Sequence, residues 1–118
     1  MVASHRHSKP EEITRFLMAY KSVATTKKIV FTEERMKNIW TLIALNRISP
    51  PLEKILSLTY KNYLAGPYKR ESGAGNLWEF GLKTDGEDIY IKLCDDFSKD
   101  VALCVSFHKP EKPLKFIY

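Results

Sequence analysis

Residues 77–108 read LWEFGLKTDGEDIYIKLCDDFSKDVALCVSFH, and the architecture turns on this stretch. Apolar side chains recur at every second position: Trp78, Phe80 and Leu82, then Ile89, Ile91 and Leu93, then Val101, Leu103, Val105 and Phe107. That period belongs to strands with one buried face. Asp85-Gly86 between the first two runs is a two-residue hairpin signal. Such a turn fixes the register, setting Thr84 opposite Glu87, Lys83 opposite Asp88, Gly81 opposite Tyr90 and Glu79 opposite Lys92. The 95–100 connection is longer, so the third strand is placed by matching its apolar face to the second. That puts Tyr90 opposite Ser106 and Asp88 opposite His108. The expected unit is a three-stranded antiparallel meander.

Upstream, the period changes to that of helices. Pro10 follows Ser8 and Lys9 at a helix start, and Glu11 and Glu12 suit the positive end of the helix dipole. Ile13, Phe16, Leu17, Tyr20 and Ala24 form one stripe of a helix over 10–26. Thr32 can cap a second helix carrying Met36, Ile39, Trp40, Ile43 and Leu45. Ser49-Pro50-Pro51 ends it and opens a short third, with Ile55, Leu56 and Leu58 apolar. Residues 65–76, AGPYKRESGAGN, read as an exposed loop because glycine and proline crowd it. The tail 110–118 reads as an extended arm or edge strand. The expected fold is α+β, with N-terminal helices on one face of a small antiparallel sheet. It forms a single domain over 1–118, and 1–9 is a mobile N-terminal segment.

Composition narrows the function classes. Residues 1–70 hold 13 basic and 5 acidic side chains, residues 71–118 hold 6 and 9, and the net charge is +5. A polyanion partner is compatible with this balance but not required by it. No apolar run approaches the roughly 20 residues of a membrane span. The polar start MVASHRHSKP lacks a signal core, so the expected location is cytoplasmic. Cys94 and Cys104, with no CxxC, read as reduced thiols on one face of adjacent strands. His5, His7 and His108 do not make a metal site, and no cofactor motif occurs.

The polar face of the meander carries Tyr90, Lys92, Ser106 and His108. In the expected register Tyr90 and His108 are diagonal neighbours, about 7–8 Å apart between backbones and within reach of one phosphodiester. Glu79 lies two strands and four residues from His108, roughly 16 Å away, which disfavours an acid–base pair on one phosphate. Glu79 reads instead as an ion pair with Lys92. Gly81 leaves the Tyr90 ring open on one side. Either a nucleobase stacks there or the chain packs closely against the glycine.

The run LTYKNYLAGPYKRESGAGNLWEFGLKTDGEDIYIKL at 58–93, followed by VALCVSFHKPEKPLKFIY at 101–118, resembles the MqsR (motility quorum-sensing regulator) family of type II toxins. The matching pieces are YLAGP at Tyr63–Pro67, LWEFG at Leu77–Gly81, IYIKL at Ile89–Leu93 and VSFH at Val105–His108. FTEERMKN at Phe31–Asn38 extends the likeness, which covers about residue 10 to the end. The resemblance implies a RelE-like fold and metal-independent cleavage of messenger RNA, free or on the ribosome. It implies no cofactor. It also implies an antitoxin partner with a helix-turn-helix DNA-binding domain. The family's functional tyrosine and the basic residue after VSF correspond to Tyr90 and His108, with Lys109 beside the latter and Lys54 matching an upstream lysine. Trp78, Glu79, Gly81 and Ser106 are the supporting positions. Glu79 stands where the family commonly has glutamine, and the loop before Trp78 is longer.

The residues suit that chemistry. Attack by a 2′-hydroxyl needs a base, an acid for the departing 5′ oxygen and cations for the phosphorane charge. His108 can be base or acid. Tyr90 can orient the phosphate or stack on a base, and Lys83, Lys92 and Lys109 can supply charge. The competing expectation is a non-catalytic regulator that binds RNA or a protein on the same face.

Overall fold

The computed structural model of the chain describes residues 7–32, 51–71, 73–84 and 87–118. The first helix, α1 (Pro10–Thr26), begins where the sequence places it, with Pro10 at a position whose N–H has no intrahelical partner. The Glu12 carboxylate reaches back to accept the Lys9 N–H at 2.8 Å, which satisfies one backbone donor at the helix start. Its buried residues are the expected stripe, Ile13, Phe16, Leu17, Tyr20 and Ala24. Next come strand β1 (Ile29–Phe31), helix α2 (Pro51–Leu56) and a 3-10 turn at Tyr60–Asn62. Four strands complete the order: β2 (Tyr63–Lys69), β3 (Asn76–Thr84), β4 (Glu87–Cys94) and β5 (Ala102–His108). The short helix buries Ile55, and Leu58 follows it into the core. The helix expected from Thr32 onward falls on 33–50, outside the described residues.

The fold is α+β, and the sheet has five strands in the order β1-β5-β4-β3-β2. The expected antiparallel meander is present as β3-β4-β5, but the whole sheet is mixed, because β1 runs parallel to β5, pairing Ile29 with Ala102 and Phe31 with Cys104. A three-residue strand is too short to show a period. The second correction concerns 65–76, whose first part belongs to β2, antiparallel to β3. Gly66 and Pro67 act there as features of an edge strand, where bulges tolerate both residues. The register slips between Tyr63 and Ala65 and again between Ala65 and Tyr68. A β-carbon on Gly66 would lie 2.6 Å from the Leu77 carbonyl oxygen, and its φ is +114°. Only glycine fits that approach.

The core lies between α1 and one face of the sheet. The Phe16 ring stacks on Trp78 with centroids 4.5 Å apart and planes 2° apart, and meets Phe80 at 6.2 Å. Such ring pairs add about 0.5–1.5 kcal/mol beyond the area they bury. Phe80, Ile91, Leu93 and Phe107 are fully buried in the same cluster. The β3–β4 ladder keeps the expected register from Leu77↔Cys94 to Thr84↔Glu87.

Strand β5 departs from expectation. It pairs Tyr90 with His108 and Lys92 with Ser106, and a slip at Lys92/Leu93 then sets Leu93 opposite Cys104. The slip is a bulge at Val105, with an extra residue on β5 that has no opposite number. Core-facing positions are therefore Ala102, Cys104 and Phe107, all fully buried, while Leu103 and Val105 are only partly covered. The uninterrupted alternation of 101–107 conceals this change of face. Because Cys104 faces Leu93, Cys94 alternates to the opposite side from it. The shared face expected of the two thiols is not found; both are buried and neither forms a disulfide.

After β5 the chain continues as an extended arm, 109–118, across the face that α1 leaves open. Leu114 lies against Gly81, and the Tyr118 ring reaches Tyr60 and Tyr63 at 6.0 and 6.2 Å. The Tyr118 hydroxyl donates to the Ser8 carbonyl at 2.5 Å. Ser8 is itself buried, and its hydroxyl donates to the Gly66 carbonyl at 2.8 Å. Ser8 is thus held in place within the 1–9 segment, and the His7 ring meets Tyr63 at 6.3 Å.

Candidate active-site groove

The corrected register draws the polar residues together in two rows across the strands. One row runs His108, Tyr90, Gly81, and the next runs Ser106, Lys92, Glu79, Ala65. The arm follows the first row, and beside it a groove of about 620 Å³ opens over the second. Lys92, Glu79 and Ser106 line its floor with Tyr90 and His108, Leu64 and Ala65 lie at its β2 end, and the arm residues 110–115 form its wall.

The central pair is Tyr90 and His108. They are direct ladder partners, with ring centroids 5.3 Å apart and planes inclined by 37°. The Lys92 ammonium sits 5.8 Å from the Tyr90 ring centre, within cation–π range. His108 is 8% exposed, and its Nδ1 lies 2.7 Å from the Lys109 carbonyl oxygen. A carbonyl oxygen only accepts, so Nδ1 carries the proton and the lone pair of the neutral ring lies on Nε2.

Glu79 anchors the other side of Tyr90. Its carboxylate accepts the Tyr68 hydroxyl on Oε2. Burial, the Glu79 charge and the adjoining Tyr68, with hydrogen bonds to both, push the Tyr90 phenol far above its ordinary range. Burial and the hydrogen bond to Glu79 push Tyr68 up as well. Both phenols therefore stay protonated, and neither is available as a phenolate base near neutrality. Glu79 and Lys92 are ladder partners as expected, but the ion pair expected between them is not found among the described residues: Glu79 takes the Tyr68 hydroxyl and the Lys92 ammonium lies over the Tyr90 ring. The separation of Glu79 from His108 changes, however. Two strands and two residues give roughly 12 Å between backbones, not the 16 Å of the expected register. Side chains of both reach the same groove.

Several expected site residues lie elsewhere. Trp78 faces α1, stacks on Phe16 and donates its indole N–H to Asp95 at 3.2 Å, so it is a core residue. Lys83 is exposed near the hairpin end, 3.9 Å from Asp88, and lines a separate shallow hollow with Phe116 and Tyr118. Lys54 stands on α2, among the elements on the opposite face, and does not line the groove. Lys109 is exposed outside it and contributes its carbonyl to His108. Gly81 is filled by the chain itself: a β-carbon there would lie 3.0 Å from the Leu114 methyl groups. Close packing, not a vacant stacking place, explains that glycine.

The sequence reading missed Tyr68, hidden in the presumed loop, and the arm residues Lys112, Leu114 and Lys115. The alternation of Lys112 and Leu114 with proline-rich neighbours was the available signal. The groove holds three lysines, 92, 112 and 115, against the carboxylates of Glu79 and Glu111. Among the described residues, the cations of the groove come from β4 and the arm.

Among the described residues no group of three His, Cys, Asp or Glu side chains is placed to hold a metal ion, and no helix is long and apolar enough to cross a membrane. Comparison of the chain with protein-family models, curated proteins and solved structures finds no match.

Proposed function

We propose that this chain is a ribonuclease toxin of the MqsR kind, cleaving messenger RNA in the cytoplasm by metal-independent attack of the 2′-hydroxyl. The observation that carries the reading is the Tyr90–His108 pair, 5.3 Å between rings, on the floor of a groove with Lys92. His108 Nε2 takes the 2′-hydroxyl proton as O2′ bonds to phosphorus. Tyr90 positions the scissile nucleotide, and Lys92 offsets the phosphorane charge. The bond from phosphorus to O5′ breaks, leaving a 2′,3′-cyclic phosphate. The departing oxygen takes its proton from a second group; of the floor side chains beside His108, the Lys92 ammonium carries one to give, whereas Glu79 is the carboxylate that accepts the Tyr68 hydroxyl. An antitoxin with a helix-turn-helix domain, acting by covering this groove, is the partner that belongs with this reading.

The test is incubation of purified protein with RNA in EDTA, and in parallel with messenger RNA in a translating extract, for wild type, His108→Ala and Tyr90→Phe. Cleavage by wild type that weakens in both variants supports the reading. Equal cleavage by all three removes the site. Binding without cleavage in either setting favours the non-catalytic regulator.

A further inference from the structure

The extended arm is built into the groove in a way that the Tyr90–His108 chemistry does not explain. It has no helix or strand of its own, yet it is held at three places. At its root, the Lys109 carbonyl accepts a hydrogen bond from His108 Nδ1 at 2.7 Å. In its middle, Leu114 packs on the bare backbone of Gly81, so closely that any side chain there would displace it. At its end, Tyr118 donates to the Ser8 carbonyl at 2.5 Å, while the Ser8 N–H reaches the Tyr63 hydroxyl at 3.2 Å. Between root and end, Lys112 and Lys115 line the groove. Among the described residues the floor offers one ammonium, that of Lys92, beside the carboxylate of Glu79. A single RNA strand presents one phosphate per nucleotide, so the phosphates flanking the scissile one need cations that the floor lacks.

We infer that the arm is a phosphate-binding wall: Leu114 seated on Gly81 and Tyr118 tied to Ser8 hold Lys112 and Lys115 where they engage the phosphates flanking the one at His108. This rests on the RNA reading above. Single-stranded RNA is the matching substrate class, because the groove is bounded on one side by a tethered segment and is floored by a narrow row of side chains. Seating of the arm and the use of its lysines are one device. Unseating the arm removes the contribution of the lysines without removing a charge.

The experiment measures binding of a fluorescent single-stranded oligonucleotide with 2′-O-methyl sugars, which resists 2′-hydroxyl attack, across a range of salt. Lys112→Ala with Lys115→Ala lowers the slope of log affinity against log salt by roughly 1.4, two phosphate contacts at about 0.7 each. Gly81→Val lowers it by a similar amount with the charges intact, and adding the two lysine changes to Gly81→Val lowers it little further. Lys83→Ala, which removes the same charge outside the groove, keeps the slope. Leu114→Ala unseats the arm from its own side and repeats the Gly81→Val result in a protein whose strand β3 is unaltered. An unchanged slope in the double lysine variant overturns the inference, as do fully additive losses with Leu114→Ala. Wild-type protein that binds no RNA at any salt overturns the RNA reading and this inference with it. Binding with the slope unchanged in the variants leaves the RNA reading standing and removes only the wall.

Discussion

His108 is defined by one hydrogen bond. With Nδ1 committed to the Lys109 carbonyl, Nε2 is the atom that would exchange a proton with substrate in the proposed mechanism, and substitution by alanine would remove that exchange. General acid–base catalysis is worth on the order of 10²–10⁴-fold, and His108→Ala should lose that much in cleavage rate. Tyr90 is a different case. Its phenol stays protonated because burial and the Glu79 charge oppose ionisation, so its hydroxyl keeps a proton to donate. Tyr90→Phe should cost roughly tenfold, the worth of one hydrogen bond to a charged group. It keeps the ring beside His108. A larger loss from Tyr90→Phe than from His108→Ala in the same RNA assay would reverse the assigned roles.

At the scale of elements, the strands show what a sequence can and cannot carry. The β3–β4 register was legible from Asp85-Gly86, since a two-residue connection permits one pairing. Helix α1 was legible from Pro10, Glu12 and a stripe at helical spacing. The β5 register was not, because Val101, Leu103, Val105 and Phe107 alternate without a break across a bulge. A bulge leaves no mark when both of its neighbours are good strand residues. The face shared by Tyr90, Lys92, Ser106 and His108 was still read correctly, as those positions lie on one side of the bulge. Strand β2 was hidden by Gly66 and Pro67, which signal loops in most settings and here allow an edge strand to approach β3. Gly66→Ala tests that explanation. The new methyl meets the Leu77 carbonyl oxygen at 2.6 Å in a left-handed backbone, so stability should fall by about 1–3 kcal/mol in urea unfolding. A neutral effect would mean that β2 does not need its close contact with β3.

For the whole molecule, the residue ahead of α1, Ser8, and the arm's Tyr118 meet over the edge of the sheet, with Ser8, Tyr63, Gly66 and Tyr118 joined by hydrogen bonds. The fold also encloses phenols in places that resist ionisation. Tyr20 is pushed up mainly by burial, and Tyr68 and Tyr90 by burial together with Glu79. A tyrosine whose folded pKa is raised contributes stability fully present below its unfolded value of about 10 and lost as pH climbs above it. The protein should therefore lose stability steeply above about pH 10. Phenolate absorbance from these three side chains should rise only as the far-ultraviolet dichroism of the fold is lost. Full ionisation of all six tyrosines with the fold intact would contradict their enclosure.

The basic excess of residues 1–70 is compatible with a polyanion partner, and among the described residues the groove's cations come from β4 and the arm. Everything in the functional account therefore depends on chemistry at one short row, His108 to Tyr90. Its most direct measurement is the nature of the ends produced when wild-type protein cuts a defined RNA in EDTA or in a translating extract. The account predicts 2′,3′-cyclic phosphate and 5′-hydroxyl ends, no cut where the 2′-hydroxyl is replaced by hydrogen, and loss of the cut in His108→Ala. Ends bearing a 5′-phosphate and a 3′-hydroxyl, or cleavage at a 2′-deoxy position, would contradict it.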